Sequence, residues 1–533
     1  MDKGDLSENW LETSASAMFV YALKRGADDG LLGPADADAA RKGWSGLVSR
    51  VSKDAEGLPV VEDTVEGTSV QKDLAGYLAR KRLTNAPHGL CGMLLAASAM
   101  EWPRATPAAP VRPRAFPGAE GFGAFAVGGR GGDVYHVANL SDSGPGSLRY
   151  GVQTARGPRT IVFDLSGTIF LRSQLNVDKP FLTLAGQTAP GDGVTVAGFT
   201  TSVSGTHDVI VRYMRFRAGD INCPSFQGDA LNVYRSRDVV IDHVSASWSI
   251  DETLSVTHSD RVTVQWSIIA DSLDAACHAK GRHGYGSLLR YGNGGLTFHH
   301  TLYAHHASRN PRIGDDLGLD FVDNVVYDWG SEPGYSGPTS EGSPRLNYVS
   351  NTLVAGPSTR AEERRLAFAS GSNRTEIYQR GNRIDPAGQG VVAPVPGDRE
   401  LFGGAYRVRP ERFPFPEVAT DDAGTAYRKV LAEAGASLVR DSVDSTVVQS
   451  VANKTGSLID SQTQAGGWPS LRTEPPPADS DRDGMPDAWE AAHGLDPRNP
   501  ADGAALGAGG ISNLERYLNE RARPCGNLAR KEG

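Results

Sequence analysis

The central part of this chain repeats one short pattern: an apolar residue, two variable residues, a small polar residue, then apolar residues again. It appears as Val264-Gln-Trp-Ser267-Ile, Phe298-His-His-Thr301-Leu, Phe321-Val-Asp-Asn324-Val and Tyr348-Val-Ser-Asn351-Thr. The polar positions follow one another at steps of 34, 23 and 27 residues. An irregular repeat of this length suits the coils of a parallel β-helix, in which each coil turns a corner on a small polar residue. Successive corners then lie one strand spacing apart, ~4.8 Å, and their side chains can form a hydrogen-bonded ladder. A β-sandwich would show cleaner period-2 alternation and tight hairpin turns. The one Asn-Gly pair, Asn293-Gly294, sits in a Gly-rich loop instead.

With 533 residues the chain exceeds one ordinary core. Its 63 glycines and 32 prolines favour short strands joined by turns. The formal net charge of −9 argues against nucleic acid, which wants a basic face. No apolar run is long enough to span a membrane. An anionic polymer could be captured only by local arginines, lysines or a bound cation. Cys91, Cys223, Cys277 and Cys525 are scattered, with no CxxC spacing, so free buried thiols are expected rather than a zinc site or a disulfide framework. The first ten residues lack the basic-then-apolar layout of a signal peptide.

Three regions follow. Residues 1–105 read as helical: Trp10, Leu11, Met18, Phe19 and Leu23 recur at helical spacing before Gly26, and further helices are predicted over 39–51 and 88–100. A Pro- and Ala-rich linker covers 102–117. Residues 106–465 form the β-helix. Residues 466–533 form a tail with a stiff Pro-rich spacer, a loop, a short helix around 487–493 and a final helix around 512–521. The predicted fold class is mainly β, a right-handed parallel β-helix with a short N-terminal helical region and a small C-terminal calcium-loop tail.

In the tail, Asp479, Asp481, Asp483, Gly484, Asp487 and Glu490 fall on D-x-D-x-D-G-x-x-D-x-x-E. Alternate carboxylates, a Gly at the sharp turn and a last Glu able to use both oxygens are what a calcium loop needs. Pro486 and the missing entering helix depart from a full EF-hand. The loop is more similar to the single calcium loops of dockerin-type and thrombospondin-type-3-type modules. A structural Ca2+ that stiffens the tail is expected.

The candidate catalytic residues lie in the β region. Asp229, Asp242, Asp251 and Glu252 collect upstream, and Arg309 and Arg312 flank Pro311. Carboxylates set beside arginines suit an anionic substrate held through a cation. His243, His299, His300, His305 and His306 look like a metal cluster, but imidazoles suit zinc or copper better than calcium, so stacked coil positions or substrate hydrogen bonds are expected.

Gly228-Asp229-Ala-Leu231 followed by Val240-Ile-Asp242-His243, Arg309-Asn-Pro311-Arg312, and the opening Ala115-Phe-Pro-Gly118-Ala-Glu-Gly121-Phe-Gly123 resemble pectate lyases of polysaccharide lyase family one over roughly residues 113–390. The resemblance implies a calcium-dependent lyase that cleaves de-esterified polygalacturonate by β-elimination to 4,5-unsaturated oligogalacturonates. It implies Asp229 and Asp251 or Glu252 as calcium ligands, Arg309 as the base and Lys280 as a contact to the substrate carboxylate. Arg312 would bind a neighbouring uronate, and Asp242 and His243 would brace the coil near the site. It also implies secretion, although the chain shows no signal peptide, and a monomer acting on plant cell-wall polymer. Three positions depart from the family pattern. Gln227 stands where an acid is usual, Ser255 or Val256 where a later ligand is usual, and Gly314 where many relatives carry arginine. Arg312, Arg290 or Arg282 are the candidates to replace that arginine. A non-catalytic pectin-binding β-helix and a lyase preferring methyl-esterified pectin are the rival readings.

At the front, Asn9-Trp-Leu-Glu12-Thr-Ser14, Lys42-Gly-Trp44 and Thr84-Asn-Ala-Pro-His88-Gly89 resemble the closing third of unsaturated rhamnogalacturonyl hydrolases, glycoside hydrolase family 105. Those enzymes are (α/α)6 barrels, and their catalytic aspartate lies upstream of the matching part. A partial α/α-barrel fragment without hydrolase activity is therefore expected, with Trp44 and His88 as packing residues.

Overall fold

The protein is described by a computed structural model over residues 10–29, 31–67, 71–100, 112–389, 393–394, 401–507 and 509–522. Cys525 and most of the predicted linker lie outside the described residues. The chain divides into two compact units, Met1–Val111 and Arg112–Gly533. No helix among the described residues is long and apolar enough to cross a membrane.

The first unit packs helices Thr13–Asp28, Pro34–Val48 and Pro87–Met100 around Ala17, Val20, Leu47, Met93 and Ala96. The second helix starts five residues earlier than the pattern predicts. Pro34 follows Gly33, and the Asp36 carboxylate accepts from the Gly33 N–H, which caps the first turn. Residues Val51–Lys53 leave the helix to pair antiparallel with Pro59–Val61.

The second unit is a parallel β-helix with three faces of 11, 10 and 8 strands, here the long, middle and short faces. Each coil runs long, middle, short: Arg237–Asp242, Ser245–Ser247 and Leu254–Thr257, then Asp260–Gln265, Ile268–Ala270 and Leu288–Arg290. Inward side chains such as Val239, Ile241, Val262, Val264, Leu296 and Phe298 fill one continuous core. The end of the family-like opening and the residues after it, 121–129, cross the outer side of the long face. There Thr183, Thr263 and Thr297 hydroxyls accept its backbone N–H groups.

The corner from long to middle face is made by one residue at positive φ. His243, Trp266, His300, Asp323 and Ser350 all sit near +50° there. For a non-glycine residue this region costs roughly 1–2 kcal/mol. The next residue repays it by hydrogen bonding. Asn324, Asn351 and Asn382 stack so that each Oδ1 accepts from the backbone N–H of the corner one coil earlier, at 2.9, 2.9 and 2.8 Å. Their Nδ2 groups donate to the carbonyls of Phe298, Phe321 and Tyr348. The repeat positions Ser267, Thr301, Asn324 and Asn351 are therefore corner residues, and Asn382 extends the ladder beyond the pattern that the sequence displays.

Two helices inside the region read as β-helix were not visible in the sequence, Ala423–Glu433 and Ser442–Asn453. Outward residues of the middle face, Ile268, Leu302, Val325 and Tyr327, are apolar and need a cover. Val430, Ala434, Val447 and Val451 supply it. The buried Arg217 pairs with Asp441 and Asp444 at the start of the second helix. Beyond it the chain returns along the solenoid. Ile459 bridges Leu273, Trp468 packs on Trp248 and Phe170, and Thr473 bridges Gly191. The tail thus reaches the first coils.

The expectation of free thiols fails for two cysteines. Cys223 and Cys277 form a disulfide with a Cα–Cα distance of 5.8 Å. They are 54 residues apart and meet because the loops leaving the middle face stack one above another. Cys91 is free but exposed rather than buried.

Replacing Asn351 by Ala strands the Asn324 N–H in the core. The expected cost is about 2 kcal/mol in denaturant unfolding, and a cost near zero would remove the ladder from the account of stability.

Candidate active site

The long loops all leave the corner between the middle and short faces. They carry Asp229 (loop 218–230), Asp251 and Glu252 (248–253), Lys280 (271–287) and Arg309 (305–311). Isolated parallel bridges tie Glu252 to Tyr285, Tyr285 to Ser308 and Ser308 to Glu332, so these residues lie on successive rungs. Sequence separations of 23 to 33 residues become neighbouring positions.

Asp229, Asp251 and Glu252 bring carboxylate oxygens within 4.8 Å of one another. Asp229 also accepts from Asn232 Nδ2 at 3.1 Å. Loss of solvent, then the facing Asp251 carboxylate, push Asp229 up to about 7, against the pull of Asn232 and Arg309. Three half-buried to buried carboxylates in mutual contact, with oxygen-only donors, fit a hard divalent cation such as calcium. Asp251 additionally lies 3.0 Å from His283 Nε2.

Arg309 reaches the same place. Its guanidinium pairs with Glu252, lies 4.0 Å over the Tyr285 ring and donates from Nε to the Tyr335 hydroxyl at 3.3 Å. Glu252 therefore has two claims on it, as a member of the acidic triad and as the counter-charge of Arg309. Lys280 lies on an exposed loop. That loop is fastened to the Asp229 loop by the disulfide and by the Ala279 N–H, which donates to Gln227 Oε1 at 2.9 Å. Gln227 thus braces the loop.

Arg312 and Arg290 stand on the outer side of the short face, on adjacent strands. Both meet Glu341, at 2.9 and 3.2 Å, and Arg290 also pairs with Asp315 at 3.0 Å. A side chain at Gly314 would begin 2.9 Å from Arg290 Nε and 3.1 Å from Glu341 Oε2. Arg290 thus occupies the space over Gly314. Arg282 is exposed and pairs with Asp274, away from these two.

Asp242 and His243 lie at the other corner, between the long and middle faces. Buried Asp242 accepts from Arg212 Nε at 2.7 Å and Gln265 Nε2 at 2.8 Å, and His243 Nδ1 stands 2.9 Å away. His243 stacks between Tyr213 and Trp266. The other histidines form no single cluster: His299 meets Gln265 and His300, His305 meets Asp328 and Ser450, and His306 meets Ser272. His300 joins Asp323 and Asp421. In the tail, Asp479, Asp481 and Asp483 gather, and Glu490 meets Asp483 and Asp502, while Asp487 turns to accept from Ser480 N and Oγ. His283, Tyr285, Tyr335, Glu341 and Asp502 carry no local motif, and only strand register reveals them.

The chain is 40% identical over 415 residues to the probable pectate lyase C of Aspergillus flavus, across 76% of this chain and 93% of that protein. The chain belongs to the pectate lyase family. It is a polysaccharide lyase on a parallel β-helix. The lyase is also similar in structure to jun a 1, the major allergen from cedar pollen, at 18% identity and a TM-score of 0.44, over 60% of this chain and 92% of that one. Residues 1–102 match the family model described as Glycosyl Hydrolase Family 88. A C. acetobutylicum glycoside hydrolase from family 105 is 28% identical over 19% of this chain and 30% of its own, with a TM-score of 0.18.

The raised Asp229 gives a signed pH effect. Between the ordinary carboxylate value near ~4 and about 7, the unfolded chain is ionised at this position while the folded chain is not, so stability falls as pH rises through that window. In chelator-treated protein, Asp229→Asn is expected to be more stable than the parent at pH ~8 by up to about 4 kcal/mol, with the advantage gone near pH ~4. An advantage that does not change with pH would contradict the shift.

Proposed function

We propose that the lyase cleaves de-esterified polygalacturonate by β-elimination, with calcium as its cofactor. The observation that carries this reading is the meeting of Arg309 with the Asp229–Asp251–Glu252 triad on one flank of the solenoid. In the reaction the base removes the C5 proton of a uronate. The C–H electrons form the C4–C5 double bond, the C4–O bond breaks, and the departing glycosidic oxygen takes a proton from solvent. Asp229, Asp251 and Glu252 would hold the calcium, whose positive charge would offset the negative charge that develops on the uronate.

The chain's own residues supply the rest. In this reading Arg309 takes the C5 proton, and the Tyr285 ring and Tyr335 hydroxyl hold its guanidinium in place. Arginine accepts a proton only as the neutral guanidine, so Arg309 must first release a proton to solvent before it takes the one from C5. Arg290 and Arg312 bind uronate carboxylates of neighbouring sugars, and Arg290 takes the role of the arginine that Gly314 lacks. Lys280 reaches the substrate from its stapled loop. Asp242 and His243 brace the opposite corner. The cationic strip of Arg290, Arg309 and Arg312 would gain little from methyl-esterified sugars, whose carboxylates are neutral. A polymer of this kind is met outside the cell, which agrees with the oxidised Cys223–Cys277 pair.

Arg309→Ala is expected to lower the rate at which unsaturated product absorbs in the ultraviolet by ~10²-fold or more, with folding intact. A chelator should abolish the rate in the parent. Arg290→Ala is expected to raise KM for de-esterified substrate more than it lowers kcat. Full turnover by the Arg309 variant, or binding of pectate without any scission by the parent, would remove the mechanism.

A further inference from the structure

The tail contains a group of acids that the elimination does not use. Asp479, Asp481 and Asp483 place carboxylate oxygens within 4.8 Å of one another, and Asp483, Glu490 and Asp502 do the same, so Asp483 joins two sets into one cluster of five. The decisive residue is Glu490. It is 0% exposed, and neither of its carboxylate oxygens has a hydrogen-bond partner. Asp483 Oδ2, Asp479 Oδ1, Asp481 Oδ2 and Asp502 Oδ1 are likewise buried and unpartnered. A buried carboxylate without a partner costs several kcal/mol unless a cation meets it. His136 stands beside the cluster, with Nε2 3.6 Å from Asp479. Arg482, although inside the loop, points to Asp164 instead.

The cluster also sits at a junction. Met485 is fully buried with Leu514, Leu518 and Ala185, and Val134 packs on the same group. Gly484 has φ +91°, and a Cβ there would lie 3.1 Å from both Val134 and Leu514. Arg130 pairs with Glu515 at 2.8 Å, and the Arg482 carbonyl lies 3.2 Å from His136 Nε2. Residues 134–136 belong to the first strand of the long face and Ala185 to its third.

We propose that Asp479, Asp481, Asp483, Glu490 and Asp502 bind one calcium ion, and that this ion fastens the C-terminal segment onto the first coils of the β-helix. All donors are carboxylate oxygens on a loop of flexible geometry, which suits Ca2+ over Mg2+ or a transition metal. Asp487 is excluded from direct contact, because its carboxylate is engaged by Ser480. Asp502 replaces it, from a turn beyond the intervening helix. The ion is independent of the one at the elimination site and serves position rather than chemistry.

The test uses the full chain, calcium as the ligand, and an Asp229→Asn background that removes uptake at the other site. Calorimetric titration is expected to show one calcium equivalent in that background and none after Glu490→Gln is added. The thermal midpoint of the Asp229→Asn protein should rise with calcium, and backbone hydrogen exchange over residues 133–137 should slow. Both responses should vanish with Glu490→Gln. Should that variant not fold, Asp502→Asn decides, with at least a tenfold loss of calcium affinity expected. Unchanged stoichiometry in both variants, or exchange over 133–137 that ignores calcium, would overturn the proposal.

Discussion

Parallel register is the constraint on which this molecule depends. A residue's nearest neighbours lie one coil away in sequence, and the bridges Glu252–Tyr285–Ser308–Glu332 fix which residues those are. A slip of one residue would turn every inward side chain outward. The asparagine corners prevent it. Each amide matches one specific backbone N–H on the adjacent coil, so the stack has a single satisfied register. Asp323 and Ser350, at positive φ before Asn324 and Asn351, are strained on their own, and the ladder makes that conformation the favourable one.

That register puts charges of both signs on one flank, and nearly all are matched. Arg309 answers Glu252, while Arg290 and Arg312 share Glu341. Matched charges keep an acidic protein from accumulating an unbalanced field where an acidic polymer must land. They also preorganise the cations: each guanidinium is held by a carboxylate or a ring before substrate arrives. The exception is the triad around Asp229, where carboxylates face one another without enough cationic partners. A site in which like charges are crowded by the fold is one poised for a counter-ion.

The sequence revealed the parts of this arrangement that repeat or that follow local motifs. Ser267, Thr301, Asn324 and Asn351 announced the coils, because a corner imposes the same chemistry each time. The chain also displayed Asp229, Asp251, Glu252, Arg309 and the tail loop as local patterns. It did not display what only the third dimension assembles. Cys223 and Cys277 carry no spacing signal, and their loops meet by stacking. Tyr285, Tyr335 and Glu341 have no motif, and they matter because strands place them beside an arginine. Helices Ala423–Glu433 and Ser442–Asn453 escaped notice because their apolar stripes are short and split by polar residues. Asp502 lies outside the calcium-loop pattern, and Gly314 reads as a loss until Arg290 is seen over it.

The returning C-terminal segment changes what kind of object the solenoid is. A stack of repeats is quasi-linear, and such stacks can fray from either tip, one module at a time. Here the chain that leaves the last coils travels back past Leu273, Trp248 and Gly191 and anchors beside Val134. The two extremities are thereby sewn together. Fraying at the first coils must therefore also break the contacts that the returning strap makes with them.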